Sequence, residues 1–241
     1  LLLLAVSLAW VSSAWASDAG LVAILAEELE RNFAILGKTA DPPAYYIAYA
    51  VTEQDSYLVS ASLGSLRNTT PRRSRRLDVT VRVGSPKLDS YHVIRGQGAR
   101  FTAGIEIPLE DNAAAIRRKL WQETDRVYRL GAQRLINMQR SEDLRLANDQ
   151  AAANFSPHEP SRADVPPPPL KLSGQEWANR IRRLSERYKQ YPLILSSSVS
   201  LLAIAETKYF ADSEGARLRH GRHYARVFTR ARAKAADGMD L

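Results

Sequence analysis

The sequence contains no cysteine and only four histidines among its 241 residues. A chain without cysteine cannot form a disulfide framework, hold a metal through thiolates or use a thiol nucleophile. Any metal site within it must therefore be built from histidine and carboxylate side chains.

The sequence also lacks a hydrophobic run long enough for a comfortable membrane span, which takes about 20 residues. An uncharged apolar run fills residues 1–16, and Asp18 interrupts it. Ala14, Trp15 and Ala16 form the small-x-small pattern that signal peptidase reads, which predicts cleavage before Ser17. The alternative interpretation is a buried N-terminal helix. We expect an exported chain, periplasmic or extracellular, with no stable membrane span after signal cleavage. Because the sequence has no initiator Met and no basic n-region before the apolar run, we also expect that the first residues of the gene product are missing from it.

Several catalytic motifs are absent. The sequence has no glycine-rich phosphate loop and no G-x-S-x-G elbow. His158 and Glu159 begin like a zinc-protease H-E-x-x-H motif, but Pro160 follows and no second histidine comes four residues later. His220 and His223 lie among arginines that would repel a metal ion, so they are interpreted as solvated turn residues. The sequence alone therefore predicts no catalytic residue and no metal ligand.

The charge balance is basic, with a net charge of +8 and a pI of about 9.8. It permits contact with nucleic acid, anionic membranes or acidic peptides. Two segments carry much of the charge, residues 71–76 and residues 217–234. In the second, alternation predicts a strand with one face formed by Arg226, Phe228, Arg230 and Arg232, which is either a substrate surface or an interface. Nucleic-acid binding is the competing interpretation, and the export signal argues against it.

Periodicity predicts an α+β fold made of two helix-plus-antiparallel-meander units. Helices are predicted over residues 20–36, 111–140 and from 174 to about 190. Strands are predicted over residues 45–53, 56–66, 76–84, 194–205, 207–212, 216–220 and 223–236, with a long basic loop at 68–76. The predicted domains are a signal peptide (1–16), an N-terminal α+β domain (17–153), a proline-rich linker (154–172) and a second, truncated α+β unit (173–241).

A turn is predicted between the last two strands, at Asp212, Ser213, Glu214 and Gly215. Asp and Ser side chains bind nearby backbone groups in such turns, and glycine permits a positive φ. A serine between two strands is not the strained strand-to-helix position of a hydrolase nucleophile. Ser213 is therefore predicted to be structural.

An ordered set of segments carries a family resemblance. In the first half the segments are YYIAYAVTEQDSYLVSASLGSL, RRSRRLDVTVRVGSPKLDS, IPLEDNAAAIRRKLWQETDRVYRLGAQRL and FSPHEP. In the second half they are WANRIRRLSERYKQYPLILSSSVSL, TKYFADSEGARLR and AKAADGMDL. Together they resemble exported proteins of the TldD/PmbA family. The family usually has an Asn-Ser-x-Gly turn where this chain has Asp212. The resemblance covers nearly all of residues 20–241.

The resemblance implies the N-terminal portion of a zinc metallopeptidase, a family also labelled modulators of DNA gyrase. It implies an α+β part of a dimeric shell, homo- or heterodimeric, that receives unfolded peptide. No nucleic acid is expected as a partner, because the export signal argues against it. Zinc is expected in a C-terminal part outside this sequence, because active members bind it through H-E-x-x-x-H and a later cysteine, and this chain has neither. No cofactor is expected in this chain. A stand-alone exported peptide-binding or scaffolding module remains the alternative, and a nucleic-acid binder a third.

Overall fold

The computed structural model describes residues 18–93, 98–102, 104–140, 153–167, 170–235 and 237–239, with side chains from residue 20 onward. The predicted cleavage residues Ala14, Ala16 and Ser17 lie outside this set. The described residues form helices α1 (Asp18–Lys38), α2 (Ala113–Gln139) and α3 (Gly174–Glu186), the last continued by a 3-10 turn at Arg187–Gln190. None of these helices is long and apolar enough to cross a membrane.

Six strands form one sheet: β1 (Ala44–Ser62), β2 (Ser65–Val83), β3 (Ile105–Glu106), β4 (Arg162–Val165), β5 (Ile194–Asp212) and β6 (Arg217–Ala233). Their order is β3-β2-β1-β5-β6-β4. All neighbours are antiparallel except β4, which runs parallel to β6. The predicted α+β class is therefore confirmed, and each predicted helix-plus-meander unit contains an antiparallel hairpin, β1-β2 or β5-β6. The sheet joins strands from both sides of the proline-rich segment.

The predicted strand boundaries in the first half were wrong. β1 runs without a break through residues 53–55, and the predicted basic loop at 68–76 belongs to β2. The true turn lies at Leu63 and Gly64, whose φ values are 48° and 81°. Glu53 remains inside the strand because it pairs with Arg75 across the hairpin, so its charge does not end the strand.

The four runs predicted in the second half are two continuous strands. Glu206, at a predicted break in β5, lies opposite Arg222 and accepts a 3.1 Å hydrogen bond from its Nε. Gly221, at a predicted break in β6, lies opposite Thr207. A Cβ on Gly221 would come within 2.3 Å of the Pro167 ring, so glycine here permits a close approach of the chain rather than a turn.

One face of the sheet carries two hydrophobic clusters. The first lies under α1 and α2, and includes Leu25, Tyr49, Val79, Leu120 and Tyr209. The second lies under α3 at the other end of the same face, and includes Val59, Ala61, Ile181, Val199 and Leu201. Because β1 residues at odd positions supply both clusters, every described helix packs on this single face.

The opposite face, which we call the open face, carries the even-numbered residues of β1, β5 and β6. Small and polar side chains predominate on β1, among them Thr52, Ser56 and Ser60. No helix among the described residues lies on this face. It is the surface on which residues 222–232 of β6 present their longest side chains.

Residues 153–167, which we call the strap, cross one end of the open face before joining the edge of β6. Phe155 packs against Tyr46, with ring centroids 4.7 Å apart. β4, within the strap, then pairs with residues 217–220 of β6. The segment predicted as a proline-rich linker therefore contributes a strand to the sheet.

Candidate functional site

The turn between β5 and β6 is organised by the carboxylate of Asp212, which is fully buried. Its Oδ1 accepts hydrogen bonds from the backbone N–H of Glu214 at 3.0 Å and of Ala216 at 2.9 Å. Gly215 has a φ of 98°, a conformation that glycine adopts at no steric cost. The aspartate side chain therefore satisfies two backbone donors that the turn would otherwise leave without partners.

Ser213 connects this turn to the N-terminal part of β1. Its hydroxyl oxygen accepts a 3.1 Å hydrogen bond from the backbone N–H of Ile47, and its own N–H donates to the Ile47 carbonyl at 2.9 Å. A catalytic serine would instead donate its proton to a general base. The geometry gives Ser213 a structural role.

The strap brings His158 onto the same turn. Its Nε2 lies 3.2 Å from Asp212 Oδ2, and its Nδ1 contacts Glu214 Oε2. The His158 backbone N–H also donates to Glu214 Oε2 at 3.2 Å. Sequence reasoning missed this cluster, since nothing in the spacing of a linker histidine and a strand-end aspartate shows that they meet.

The three side chains could supply ligand atoms within 4.8 Å of one another. The arrangement is, however, that of an imidazole between two carboxylates, with each ring nitrogen facing a different oxygen. A metal ion would take one nitrogen and draw both carboxylates to it. The geometry therefore describes a side-chain clamp that holds the strap on the sheet.

Tyr46 borders this clamp on the open face. Its hydroxyl donates to Asp212 Oδ2 at 3.3 Å. Burial raises the pKa of Tyr46, and the neighbouring charge of Asp212 raises it further. The phenol therefore stays protonated and acts as a donor to the buried carboxylate at neutral pH.

Arg82 provides a second attachment for the strap. Its guanidinium lies 4.8 Å from the ring centroids of both Tyr91 and Phe155. Its Nη1 donates to Asp89 Oδ2 at 2.6 Å and to the Asn154 carbonyl at 3.4 Å. Asp89 is fully buried and also accepts a 2.5 Å hydrogen bond from the Tyr45 hydroxyl. The strap is thus held by aromatic and ionic contacts at two separate points.

The predicted substrate or interface residues lie on the outer half of β6. Arg226, Phe228, Arg230 and Arg232 are all exposed and lie on the open face, opposite Leu202, Ser200, Ser198 and Ser196 of β5. The side chains of Arg226 and Arg230 make no hydrogen bond or ion pair with the residues that the structure describes. These two arginines are therefore available to an external partner.

The other face of this strand is exposed as well. The small side chains at positions 225, 227, 229 and 231 have no covering element in the described part of the chain, although α3 covers the neighbouring Val199 and Leu201. Val227 is 44 % exposed. The outer half of β6 thus projects beyond the two hydrophobic clusters, with both faces in contact with solvent.

The outer edge of β6 is also free over most of its length. β4 pairs only with residues 217–220, and no other described strand pairs along this side. A free edge presents unpaired backbone N–H and C=O groups. Exposed apolar side chains lie near the same end of the sheet: Tyr191, Leu193, Leu195 and Phe228. Exposed groups of this kind mark interaction surfaces.

No protein-family model and no curated protein sequence matches the chain. Several solved structures do, and three of them are described below. TldE from Thermococcus kodakarensis is 12 % identical, with a TM-score of 0.50 over 94 % of this chain and 42 % of that one. A candidate modulator of DNA gyrase from Bacteroides thetaiotaomicron is 10 % identical, with a TM-score of 0.52 over 89 % of this chain and 42 % of that one.

The third is a candidate modulator of DNA gyrase from Thermotoga maritima, 13 % identical with a TM-score of 0.47 over 89 % of this chain and 41 % of that one. This chain spans about two fifths of the length of each of these three structures. At such low identity, the likeness to TldE and the Bacteroides protein concerns the fold. The fold is the one that the TldD/PmbA resemblance implied, and that expectation is confirmed.

Proposed function

We propose that this chain is the N-terminal, non-catalytic portion of an exported TldD/PmbA-like metallopeptidase, where it serves dimerisation and the guidance of unfolded peptide substrates. The fold shared with TldE supports the family, and the coverage of about two fifths supports a portion of a larger protein. The observation that carries the role is the outer half of β6, which has two exposed faces and a free edge.

A projecting hairpin of this kind suits contact with another protein surface. The exposed Leu193, Leu195 and Val227 lie beyond the helices that cover the rest of the strand pair. Burying apolar area stabilises association by about 25 cal/mol per Å² before entropic costs are subtracted. The partner is a homologous subunit or the zinc-bearing part of the same polypeptide.

The residues of this chain do not fit a catalytic zinc site. The family's H-E-x-x-x-H motif and cysteine are absent from the sequence. The nearest alternative donor set, His158 with Asp212 and Glu214, forms the clamp described above. We therefore assign the peptidase chemistry to a part of the parent protein outside this chain.

The test uses the 241-residue chain itself. After dialysis against metal-free buffer, we expect less than stoichiometric zinc by mass spectrometry and no cleavage of unstructured peptides. Sedimentation at increasing concentration is expected to show self-association or association with a homologous subunit. One equivalent of retained zinc, or peptide cleavage that a chelator abolishes, would refute the non-catalytic assignment.

A stand-alone exported binding module is the second candidate, and the two complete hydrophobic clusters favour it. Residues such as Leu25, Val79, Ile181 and Leu201 are at most 1 % exposed, which is what a self-sufficient domain requires. This alternative predicts a monomer that unfolds cooperatively and does not associate at any accessible concentration. A nucleic-acid binder would instead show an affinity that falls steeply with salt.

A further inference from the structure

The free edge of β6 alternates charge and aromatic surface in a regular register. Tyr224, Arg226, Phe228 and Arg230 share the open face, because each lies opposite an even-numbered residue of β5. Arg226 and Arg230 are four residues apart, which corresponds to about 13 Å along a strand. An aromatic side chain separates the two guanidinium groups.

From this register we propose that the β6 edge, over residues 222–232, binds an extended acidic peptide segment by strand addition. The segment carries carboxylates opposite Arg226 and Arg230 and apolar side chains opposite Phe228 and Tyr224. Its acidic residues are four positions apart, with an apolar residue midway between them. The inference names the peptide class for the guidance surface and in that respect rests on the proposed function.

Charge complementarity identifies the occupant. Arg226 and Arg230 lack partners among the described residues, and arginine binds carboxylates through two parallel N–H donors. Cross-strand pairs of opposite charge stabilise a sheet, whereas like charges directly opposite destabilise it. A carboxylate at each of these two positions therefore satisfies the guanidinium groups that the chain leaves exposed.

The same argument disfavours a second copy of this chain on the edge. A symmetric antiparallel pairing centred on Phe228 would set Arg226 of one copy against Arg230 of the other. The chain also carries a net charge of +8, so two copies repel one another. A homodimer is therefore expected to use the exposed apolar side chains of the β5-β6 hairpin, Leu193, Leu195 and Val227, rather than this edge.

Guarding against aggregation is a different reason for charge on an edge strand. The composition of β6 does not suit it, because Phe228 is 39 % exposed and Tyr224 37 % exposed on the same face as the arginines. On the other face Val227 is exposed as well. A protected edge would not alternate its charges with exposed aromatic side chains. The alternation instead matches the pattern of a strand that recognises another strand.

The test measures fluorescence anisotropy of labelled peptides with the 241-residue chain at physiological salt. The matching peptide has two glutamates four residues apart, a leucine midway between them and threonine elsewhere. Control peptides have the same composition with the glutamates three residues apart, or lysine in place of glutamate. We expect the matching peptide to bind at least about five-fold more tightly than either control, since exposed ion pairs are individually modest.

Two substitutions locate the site. The double variant Arg226→Gln and Arg230→Gln is expected to lose this preference while keeping the fold, because both side chains are exposed. The matched control changes Arg118 and Lys119 to Gln, which removes the same charge from an exposed surface of α2. Equal losses in both variants would mean that net charge alone attracts the peptide, and would overturn the site.

Backbone methylation tests the strand pairing itself. Successive N–H groups of an extended peptide point to opposite sides. N-methylation of the positions facing β6 should abolish binding, and methylation of the intervening positions should not. Equal effects of both methylations would overturn strand addition. Equal binding of all peptides would overturn the acidic preference but would still agree with the proposed function in peptide guidance. If no peptide binds to the folded chain, both the acidic preference and the guidance function are overturned.

Discussion

Arg75 donates two hydrogen bonds to Glu53, from Nε at 3.1 Å and from Nη2 at 2.8 Å. Its Nη1 also donates to Asp111 Oδ1 at 2.8 Å and to the Pro108 carbonyl at 3.0 Å. The Arg75 side chain is only 1 % exposed. This ion pair separates the two hydrophobic clusters of the covered face, since Glu53 lies on β1 between Val51 and Val59. A buried charge is tolerated here because its polar neighbours are hydrogen-bonded to it.

Replacing Arg75 with Met should destabilise the fold by about 3 kcal/mol, because the buried Glu53 then keeps only Arg73 as a charged partner and its Oε2 loses both hydrogen bonds. Urea unfolding measures the change. The double variant Arg75→Met and Glu53→Leu should recover much of the loss, since it removes both charges together. A cost below about 1 kcal/mol for the single variant would contradict this prediction and would show that Arg73 and water together satisfy Glu53.

Gly215 and Gly20 should respond in opposite directions to alanine. Gly215 has a φ of 98°, and a Cβ there would lie 3.3 Å from the Pro160 side chain. We expect Gly215→Ala to cost at least about 1–2 kcal/mol. Gly20 lies in α1, and a Cβ added there would meet nothing within 4 Å, so Gly20→Ala should stabilise by up to about 1 kcal/mol. Thermal unfolding compares the two, and a stabilising Gly215→Ala would contradict the turn geometry.

Tyr49 should make stability depend on pH in the alkaline range. Its hydroxyl donates to Thr124 Oγ1 at 2.7 Å and accepts from Asn32 at 3.0 Å. Burial raises the pKa of Tyr49 from 10.0 to about 12. Below pH 10 both folded and unfolded chains keep the phenol protonated. Between pH 10 and pH 12 the unfolded chain ionises first, so the stability that burial contributes is lost as the pH rises.

The variant Tyr49→Phe should flatten this alkaline loss, by up to about 1.4 kcal/mol per pH unit over the interval. Urea unfolding at several pH values measures the slope. The flattening is partial, because burial also raises the pKa values of Tyr45 and Tyr46. An unchanged slope in Tyr49→Phe would mean that its hydroxyl ionises equally in both states.

The helices and the fold class were readable from sequence, because their signals are local. The apolar period of α1 and the Ser173 cap of α3, which accepts from the Glu176 N–H at 3.4 Å, lie within single segments. The strand breaks were misplaced because the compensating partners are distant. Considered alone, the charged Glu53 suggests the end of a strand. Its pairing with Arg75 on β2, which the local sequence does not show, keeps it inside β1.

The His158 clamp could not be predicted for a related reason. The proline-rich surroundings of His158 indicate a spacer, and a spacer predicts no fixed position for its side chains. Its contact with Asp212 depends on the path of the strap across the open face. The β6 face was predictable, because strand alternation alone places Arg226 and Phe228 on the same side. What sequence did not show is that both faces of that strand stay exposed.

Export is testable by expressing the chain in bacteria with an initiator Met and a short basic n-region placed before Leu1, so that residues 1–16 supply the rest of the signal. We expect periplasmic material whose N-terminus, by mass spectrometry, is Ser17, because Ala14 and Ala16 satisfy the small-residue requirement of signal peptidase. The variant Ala16→Arg should accumulate uncleaved. Cytoplasmic material with an intact N-terminus would favour the buried-helix interpretation of residues 1–16.

His158 should control how firmly the strap is attached. The imidazole contacts Asp212 and Glu214, whereas the side chain of the neighbouring Glu159 is exposed and makes no hydrogen bond or ion pair with the described residues. His158→Ala should speed hydrogen exchange several-fold in the strap and at the Arg217 N–H, which donates to the Ser161 carbonyl at 2.9 Å. Exchange in α2 should stay unchanged, because Arg82 still anchors Phe155. Glu159→Ala is the matched control, and an equal effect in that variant would show that shortening any side chain here loosens the strap, which would contradict the clamp.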